Sequence, residues 1–549
     1  MSTPISPAER HLLLGFNPGP TPRPDRTVHA SICRQAARTP DAVALRSDAG
    51  ALTYRELLDR AALVAGRLAG AGIGPGCVVG LCARRSADLV VAVLGILLAG
   101  AAYLPVDPTH PAPRIASMLT AARAALLMVD DDRPPPGPDH PRVPIRRLDA
   151  RPVPAAASGS APGSAAPPPP VDWRGHPAAP EPPGGLGCVV FTSGSTGEPK
   201  GVELTHDALA NRLEGMLAAF QLGPKDVLLQ KTPYTFDVSI WELLLAFMAG
   251  ATLVVAPPEA HRDPQALVDL ITVHGVTMVH FVPSMLELFV TEPDLARCRS
   301  LRVVLSGGEA VPPRLVNLLA ATLPGVTVYN MYGPAEATID VTGWRCRRPE
   351  PGDRVPIGRP LSNVSAYVVD DQGDLVAVGV PGELLLGGAC LARGYAGRPD
   401  LTAERFVEVR LAGRAERVYR TGDLVCWSAE GYLEYLGRID TQVKLRGQRL
   451  ELGEIEAALR RHPAVRNAVV VLRHQRSLVA YVVGEATPAP PDTEAVLRAY
   501  LAGVLPDYMV PARIVELAEI PVGAHGKADR TALPEPPRRH QPGQNRISA

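Results

Sequence analysis

The chain has no excess of either charge: Lys+Arg and Asp+Glu both total 56. A nucleic-acid partner would leave a basic footprint, and none is present, so the polar partner is expected to be a small molecule. Paired cysteines are missing as well. The cysteines at 33, 77, 82, 188, 298, 346, 390 and 426 are scattered, with no Cys-x-x-Cys and no histidine at metal-ligand spacing. Reduced thiols in a cytoplasmic protein are the expectation. No apolar run reaches membrane-spanning length; residues 89–105 come nearest, but contain two glycines and run into Asp107-Pro108. That stretch reads as a buried helix leading into a strand. The opening MSTPISPAER has no basic region followed by an apolar stretch, so no secretory signal is expected.

What is abundant is length, and 549 residues exceed what one core usually supports. Residues 1–27 are Pro-rich and read as an extended leader. Residues 133–185, rich in Pro, Ala, Gly and Ser, read as a poorly ordered surface excursion. Around that excursion helix and short apolar strand alternate. In LTYREL, Thr53 and Glu56 have capping-box spacing at the head of a helix to about Ala71; a second helix begins near Ser86, and AAYLPVDP follows as a buried strand. Apolar strands recur at 126–129, 189–191, 252–256, 278–281, 303–305 and 326–329. The fold class is α/β with mainly parallel sheets. From 352 to 437, Val, Leu and Tyr runs between Gly turns read as antiparallel β structure, a small barrel. After Arg438 the order strand, helix, strand, strand, helix, strand marks a small α+β unit, with the boundary near Asp440.

The chemistry concentrates at FTSGSTGEPKG, Phe191 to Gly201. Placed between an apolar strand and the helical spacing of VELTHDALANRLEGMLAAF, its backbone N–H groups and hydroxyls suit a small anion, and Lys200 adds a full charge. No Gly-Lys-Ser/Thr closes it, so it is a phosphate loop of another kind than the P-loop. NMYGPAE sets Glu336 behind a Tyr-Gly-Pro turn, where a carboxylate suits a hard cation such as Mg²⁺. YRTGD sets Asp423 on a Gly turn, suited to two ribose hydroxyls, and HGKADR presents Lys527. Each of the last three, taken singly, is as consistent with an ordinary solvated turn.

Together and in order, LTYREL, LLAGAAYLPVDP, FTSGSTGEPKG, FDVSIWE, NMYGPAE, GELLLGGACLARGY, YRTGD, GRIDTQVKLRGQRLELGEIE, LPDYMVP and HGKADR resemble the adenylate-forming superfamily, specifically an amino-acid-activating adenylation domain of nonribosomal peptide synthesis. The resemblance covers about residues 28–535. It implies an N-terminal core of two α/β subdomains and a β-barrel (28–439), a mobile C-terminal lid (440–535) and a tail (536–549). It further implies that Thr192, Ser193, Gly194, Ser195, Thr196, Gly197 and Lys200 hold ATP phosphates and that Glu336 binds Mg²⁺. Tyr332 packs on adenine, Asp423 and Arg438 lie at the ribose, and Lys527 bridges substrate carboxylate and nucleotide. Asp440 is implied as the hinge about which the lid turns between adenylation and thiol transfer, bringing the loop of Lys444, Arg446 and Gly447 to the thiol side. Two positions depart from the pattern: Ala335 stands where Thr is common, and His525 where Asn is usual.

By the same resemblance Asp237, Val238, Trp241, His280, Leu305, Gly307, Met331, Ile339, Asp340 and Lys527 line the side-chain pocket. A buried Asp237 needs a partner, and an α-ammonium fits. His280 and Asp340 make the far end polar, while Trp241, Leu305 and Met331 limit its volume. The set is similar to the serine-selecting pattern, which commonly has Ser and Leu at the places of Gly307 and Met331. Threonine and 2,3-diaminopropionate stand as alternatives. Beyond these stand an acyl-CoA ligase of the same superfamily and an inactive scaffold; the signatures of an aminoacyl-tRNA synthetase are not found. PRRHQPGQNRISA follows Lys527 with no carrier motif, and SPAERHLLLGFNPG resembles an interdomain linker. A free-standing enzyme loading a carrier protein in trans is therefore expected, with an MbtH-like partner plausible.

Overall fold

The computed structural model describes residues 5–21, 27–130, 142–144, 171–174, 184–194, 197–411, 414–474, 476–485, 492–522 and 528–536. Two sheets carry the larger part. A nine-stranded sheet runs in the order Arg359–Pro360, Thr342–Arg345, Thr327–Tyr332, Val303–Gly307, Met278–Phe281, Val227–Gln230, Thr252–Val255, Val43–Ser47, Gly50–Thr53. Its strands from Thr327–Tyr332 to Val43–Ser47 are parallel, and antiparallel partners finish both edges. A six-stranded sheet orders Arg142–Pro144, Leu126–Val129, Val78–Cys82, Ala102–Val106, Leu186–Thr192 and Lys200–Thr205, with only the last pair antiparallel.

Parallel strands covered on both faces must be apolar at every position. Val78–Cys82 and Ala102–Val106 are buried throughout. The helix Ala87–Leu98, apolar all round and buried at every position but Asp88, lies inside the cluster that joins residues of both sheets, such as Leu45 and Val79. Its neighbour Tyr54–Gly70 begins at the expected capping box: Glu56 N donates to Thr53 Oγ1 (3.2 Å), and Thr53 N donates to Glu56 Oε2 (2.8 Å).

Three expectations change. Residues 7–15 of the leader form a helix, Pro7–Gly15, capped by Ser6; Leu13 is buried and the Phe16 ring lies 5.1 Å from that of Trp427, so apolar contact with the antiparallel sheet orders it. Most of the 133–185 excursion lies outside the described residues, but Trp173 within it is buried and donates its indole N–H to Asp59 (2.7 Å). The 352–437 region forms a five-stranded antiparallel sheet of Val364–Val369, Gly382–Gly388, Arg414–Trp427, Phe406–Leu411 and Leu433–Arg438. No pairing among the described residues closes it into a barrel.

The C-terminal unit follows the expected order but opens with a hairpin, Val443–Leu445/Gln448–Leu450, in place of one strand; helix Leu452–Arg460, strands Val465–Arg473 and Ser477–Gly484, helix Thr493–Ala502 and strand Arg513–Glu516 then follow. Its apolar clusters share no residue with those of the core, and we propose Asp440 as the boundary on that ground. Removing the cap by Thr53→Ala is expected to lower core stability by about 1 kcal/mol, read as a reduced urea midpoint.

Candidate active site

The phosphate loop differs from the strand-to-helix junction expected of it. Leu186–Thr192 and Lys200–Thr205 pair antiparallel, with Thr192 opposite Lys200, so the loop closes a hairpin. Val202 and Leu204, both buried, draw VELT into the sheet, and the helix His206–Phe220 starts only after Thr205, whose hydroxyl caps Ala208 N (3.2 Å). The anion affinity expected of the loop would therefore rest on its own N–H groups, hydroxyls and Lys200, without a helix dipole.

Those groups are engaged by the C-terminal unit. Ser193 Oγ donates to the Arg449 carbonyl (2.7 Å) and accepts from Glu451 N (3.0 Å). Gly194 N donates to Glu454 Oε2 (3.0 Å), and the other Glu454 oxygen meets Arg114 Nη1 at 2.6 Å. Lys200 Nζ lies 3.6 Å from Glu451 Oε1. Carboxylates thus stand where phosphate oxygens are expected. Thr192 Oγ1 is buried with no partner among the described residues; Ser195, Thr196 and Lys527 lie outside them.

Glu336, fully buried, takes the Tyr395 hydroxyl on Oε1 (2.8 Å) and the Arg449 guanidinium on Oε2 (2.7 Å). Burial alone would raise its carboxyl, but Arg449 and Lys200 hold it down at about 2. Lys200 is itself lowered, by burial and then by Arg449. An ionised, dry carboxylate is a fit ligand for one position of a magnesium ion whose other oxygens come from phosphate and water.

The expected ribose residues meet next to this cluster. Asp423 lies within the strand Arg414–Trp427, opposite Arg438, not in a turn. Its Oδ2 accepts from Tyr332 OH (2.5 Å) and its Oδ1 from Arg438 Nη1 (2.6 Å). Arg438 also grips Asp440, the expected hinge, with two bonds of 2.6 Å. Lys444 Nζ sits 5.7 Å from the Tyr332 ring centroid.

The pocket residues converge from separate elements. Asp237 heads the helix Val238–Ala249, which carries Val238 and Trp241; His280, Leu305, Gly307 and Met331 sit on neighbouring parallel strands in register, His280 opposite Leu305 and Gly307 opposite Met331. The Trp241 and His280 rings meet edge to face at 6.5 Å. At Gly307 a Cβ would come within 2.5 Å of the Met331 carbonyl, so this glycine serves close strand approach and does not enlarge the pocket. Ile339 and Asp340 stand on a turn in which Thr338 and Ile339 have φ of 57° and 76°. A β-branched residue there costs of order 1–3 kcal/mol. Gly333 makes the turn possible, since a Cβ at that position would lie 2.3 Å from the Ile339 carbonyl, and Thr338 Oγ1 anchors it to Cys390 O (2.7 Å).

Burial, then the charge of Asp340, raises the Asp237 carboxyl to about 7. Burial and Lys231 lower His280 to about 3, so its ring is neutral. Sequence reasoning missed Arg449, Glu454, Tyr395, Lys231 and Arg212, which pairs with Asp340. Arg449 and Glu454 lie inside the motif GQRLELGEIE; Arg212 lies on a helix whose pattern looks only amphipathic.

Fold and site together define a class, and comparison makes it definite. The chain belongs to the family of AMP-binding enzymes, whose pattern matches residues 32–396, with the C-terminal domain of AMP-binding enzymes matching 454–527. Its likeness within that family is to nonribosomal peptide synthetases. It is 47% identical over 536 residues to phosphinothricin tripeptide synthetase PhsB of Streptomyces viridochromogenes, covering 95% of this chain and 43% of that protein. The chain thus spans less than half the length of that relative. Among solved structures it is similar to NpsA-ThdA, an artificially fused adenylation-PCP di-domain from Klebsiella oxytoca, with TM-score 0.76, 28% identity and coverage of 89% and 93% of the two chains. It is similar also to holo-AB3403, a four-domain nonribosomal peptide synthetase bound to AMP and glycine, with TM-score 0.67, 32% identity and coverage of 97% and 38%.

Because Asp237 is raised, it is protonated and uncharged below about pH 7 and able to pair with an ammonium above it. The rate of amino-acid-dependent ATP–pyrophosphate exchange at low amino acid is expected to fall as pH drops through about 7. Asp237→Asn should remove that step and weaken amino-acid binding at every pH.

Proposed function

We propose that the chain activates a small hydroxylated L-amino acid, serine first, as its aminoacyl-adenylate with release of pyrophosphate, and then passes the acyl group to the phosphopantetheine thiol of a carrier protein. The observation that carries this reading is Asp237. It is a half-buried carboxylate at the head of the helix Val238–Ala249, bonded only to the N–H of Val238 (2.8 Å), with no cationic side chain in contact with it among the described residues and Arg449 acting on it only from a distance. Such a group needs a cation, and an amino acid brings one. A fatty or aryl acid brings none, which disfavours the acyl-CoA ligase reading. The neutral His280, with Nδ1 unpartnered among the described residues, suits a hydroxyl side chain. The relatives point the same way: one solved neighbour is bound to AMP and glycine, and another joins adenylation and PCP domains.

In the first step the amino-acid carboxylate oxygen attacks the α-phosphorus of ATP while the bond to pyrophosphate breaks. Ser193, Gly194 and Lys200 hold the phosphates, Asp423 and Arg438 the ribose, and Tyr332 the adenine. Lys527 meets the charge that gathers on the attacked phosphorus. Glu336 would hold Mg²⁺, which when bound neutralises phosphate charge. Because Arg449, Glu451 and Glu454 engage these same groups, the C-terminal unit must swing about Asp440 before ATP is seated. In the second step the thiol attacks the acyl carbonyl, the bond to AMP breaks, and the returned hairpin, with Gly447 N donating to Glu309 Oε1 (2.7 Å), forms that side of the site. Threonine is the second reading, because one methylene is worth only about 1–3 kcal/mol in a pocket.

An ATP–pyrophosphate exchange panel is expected to be fastest with serine; fastest exchange with an apolar or aromatic amino acid contradicts the proposal. Lys527→Ala should lower adenylation by about 10²–10³-fold and spare thiol transfer from preformed adenylate. Co-expression with an MbtH-like protein, scored by yield and exchange rate, tests that partner.

A further inference from the structure

The amino-acid pocket contains two carboxylates, and an incoming serine brings one cation. Asp237 and Asp340 are close enough for the charge of Asp340 to act on Asp237. With both uncompensated, the pocket would favour a substrate with two ammonium groups. The chain supplies the missing charge itself. Arg212, on the helix His206–Phe220, sets Nη2 2.9 Å from Asp340 Oδ2, with 7% and 9% of the two side chains exposed. Asp340 Oδ1 has no hydrogen bond among the described residues. Arg212 reaches Asp340 along a cavity of about 360 Å³ that shares Met331 and Asp340 with the pocket and is lined further by Phe220, Tyr329 and Gly343.

We propose that Arg212 is a specificity-determining residue: by neutralising Asp340 it makes the far wall of the pocket selective for a hydroxyl over an ammonium. The proposal rests on the amino-acid-activating reading above. The wall then consists of a charge-compensated carboxylate with one oxygen left to accept a hydroxyl proton and the neutral His280 beside Trp241. The second ammonium of 2,3-diaminopropionate would meet a carboxylate already paired and the like charge of Arg212. An amino acid with an uncharged side chain, such as serine, leaves both pocket carboxylates matched, with the α-ammonium on Asp237 and Arg212 on Asp340. Arg212 acts through Asp340 and is a positioning residue, not a catalytic one.

The test is ATP–pyrophosphate exchange with serine and with 2,3-diaminopropionate on the wild-type chain, Arg212→Gln, Arg212→Lys and the double variant Arg212→Gln/Asp340→Asn. The expected result is a shift of the serine to diamino-acid ratio of kcat/KM by roughly tenfold or more toward the diamino acid in Arg212→Gln. Arg212→Lys, which keeps the charge, should stay near wild type. The double variant, with neither charge, should return toward serine, and it carries the test if Arg212→Gln fails to fold. An unchanged ratio in Arg212→Gln, or a double variant that favours the diamino acid, overturns the proposal. A wild-type enzyme that activates neither substrate but exchanges with apolar amino acids instead overturns the serine reading, a result distinguishable from the first.

Discussion

The ion pair between Glu336 and Arg449 is the contact on which the arrangement of the two parts depends. The Glu336 carboxylate lies wholly out of water against a largely covered Arg449, and a buried charge stripped of its partner costs several kcal/mol. Glu336 can therefore exchange Arg449 only for another cation. The neighbouring contacts obey the same rule. Glu451 faces Lys200, and Glu454 faces Arg114 and the Gly194 N–H, so that the C-terminal unit sets its own carboxylates where the proposed phosphates would lie. On the proposed function, the docked hairpin and a seated nucleotide are alternatives by electrostatics as well as by space.

The pocket follows the same logic of charge matching in a dry place. Parallel strands deliver His280, Leu305, Gly307 and Met331 in register. The strained turn at Thr338 and Ile339, possible only because Gly333 has no Cβ, then brings Asp340 within reach of Arg212. Among the described residues, Asp237 is bonded to nothing but a backbone N–H.

Much of this was legible beforehand. The capping box at Thr53, the fully apolar strands and the motif order mark local preferences that the packed fold obeys. The helix at residues 7–15 was hidden because proline content outweighed the spacing of Leu13 and Phe16, whose partner Trp427 is far along the chain. The phosphate loop was misplaced because VELT reads as the start of the following helix until its pairing with the preceding strand is known. Arg212 and Arg449 were invisible as site residues for a related reason. An arginine on an amphipathic helix or in a hairpin has no local sign of the distant carboxylate it will meet.

Two backbone amides report the docked state directly. Gly447 N donates to Glu309 and Glu451 N to Ser193 Oγ, both across the seam. Hydrogen–deuterium exchange at residues 443–451, measured with and without saturating Mg-ATP, tests whether nucleotide and hairpin compete for Glu336 and the phosphate loop. The account predicts faster exchange at these amides when Mg-ATP is bound. Equal protection in both states, with nucleotide binding verified, would contradict it.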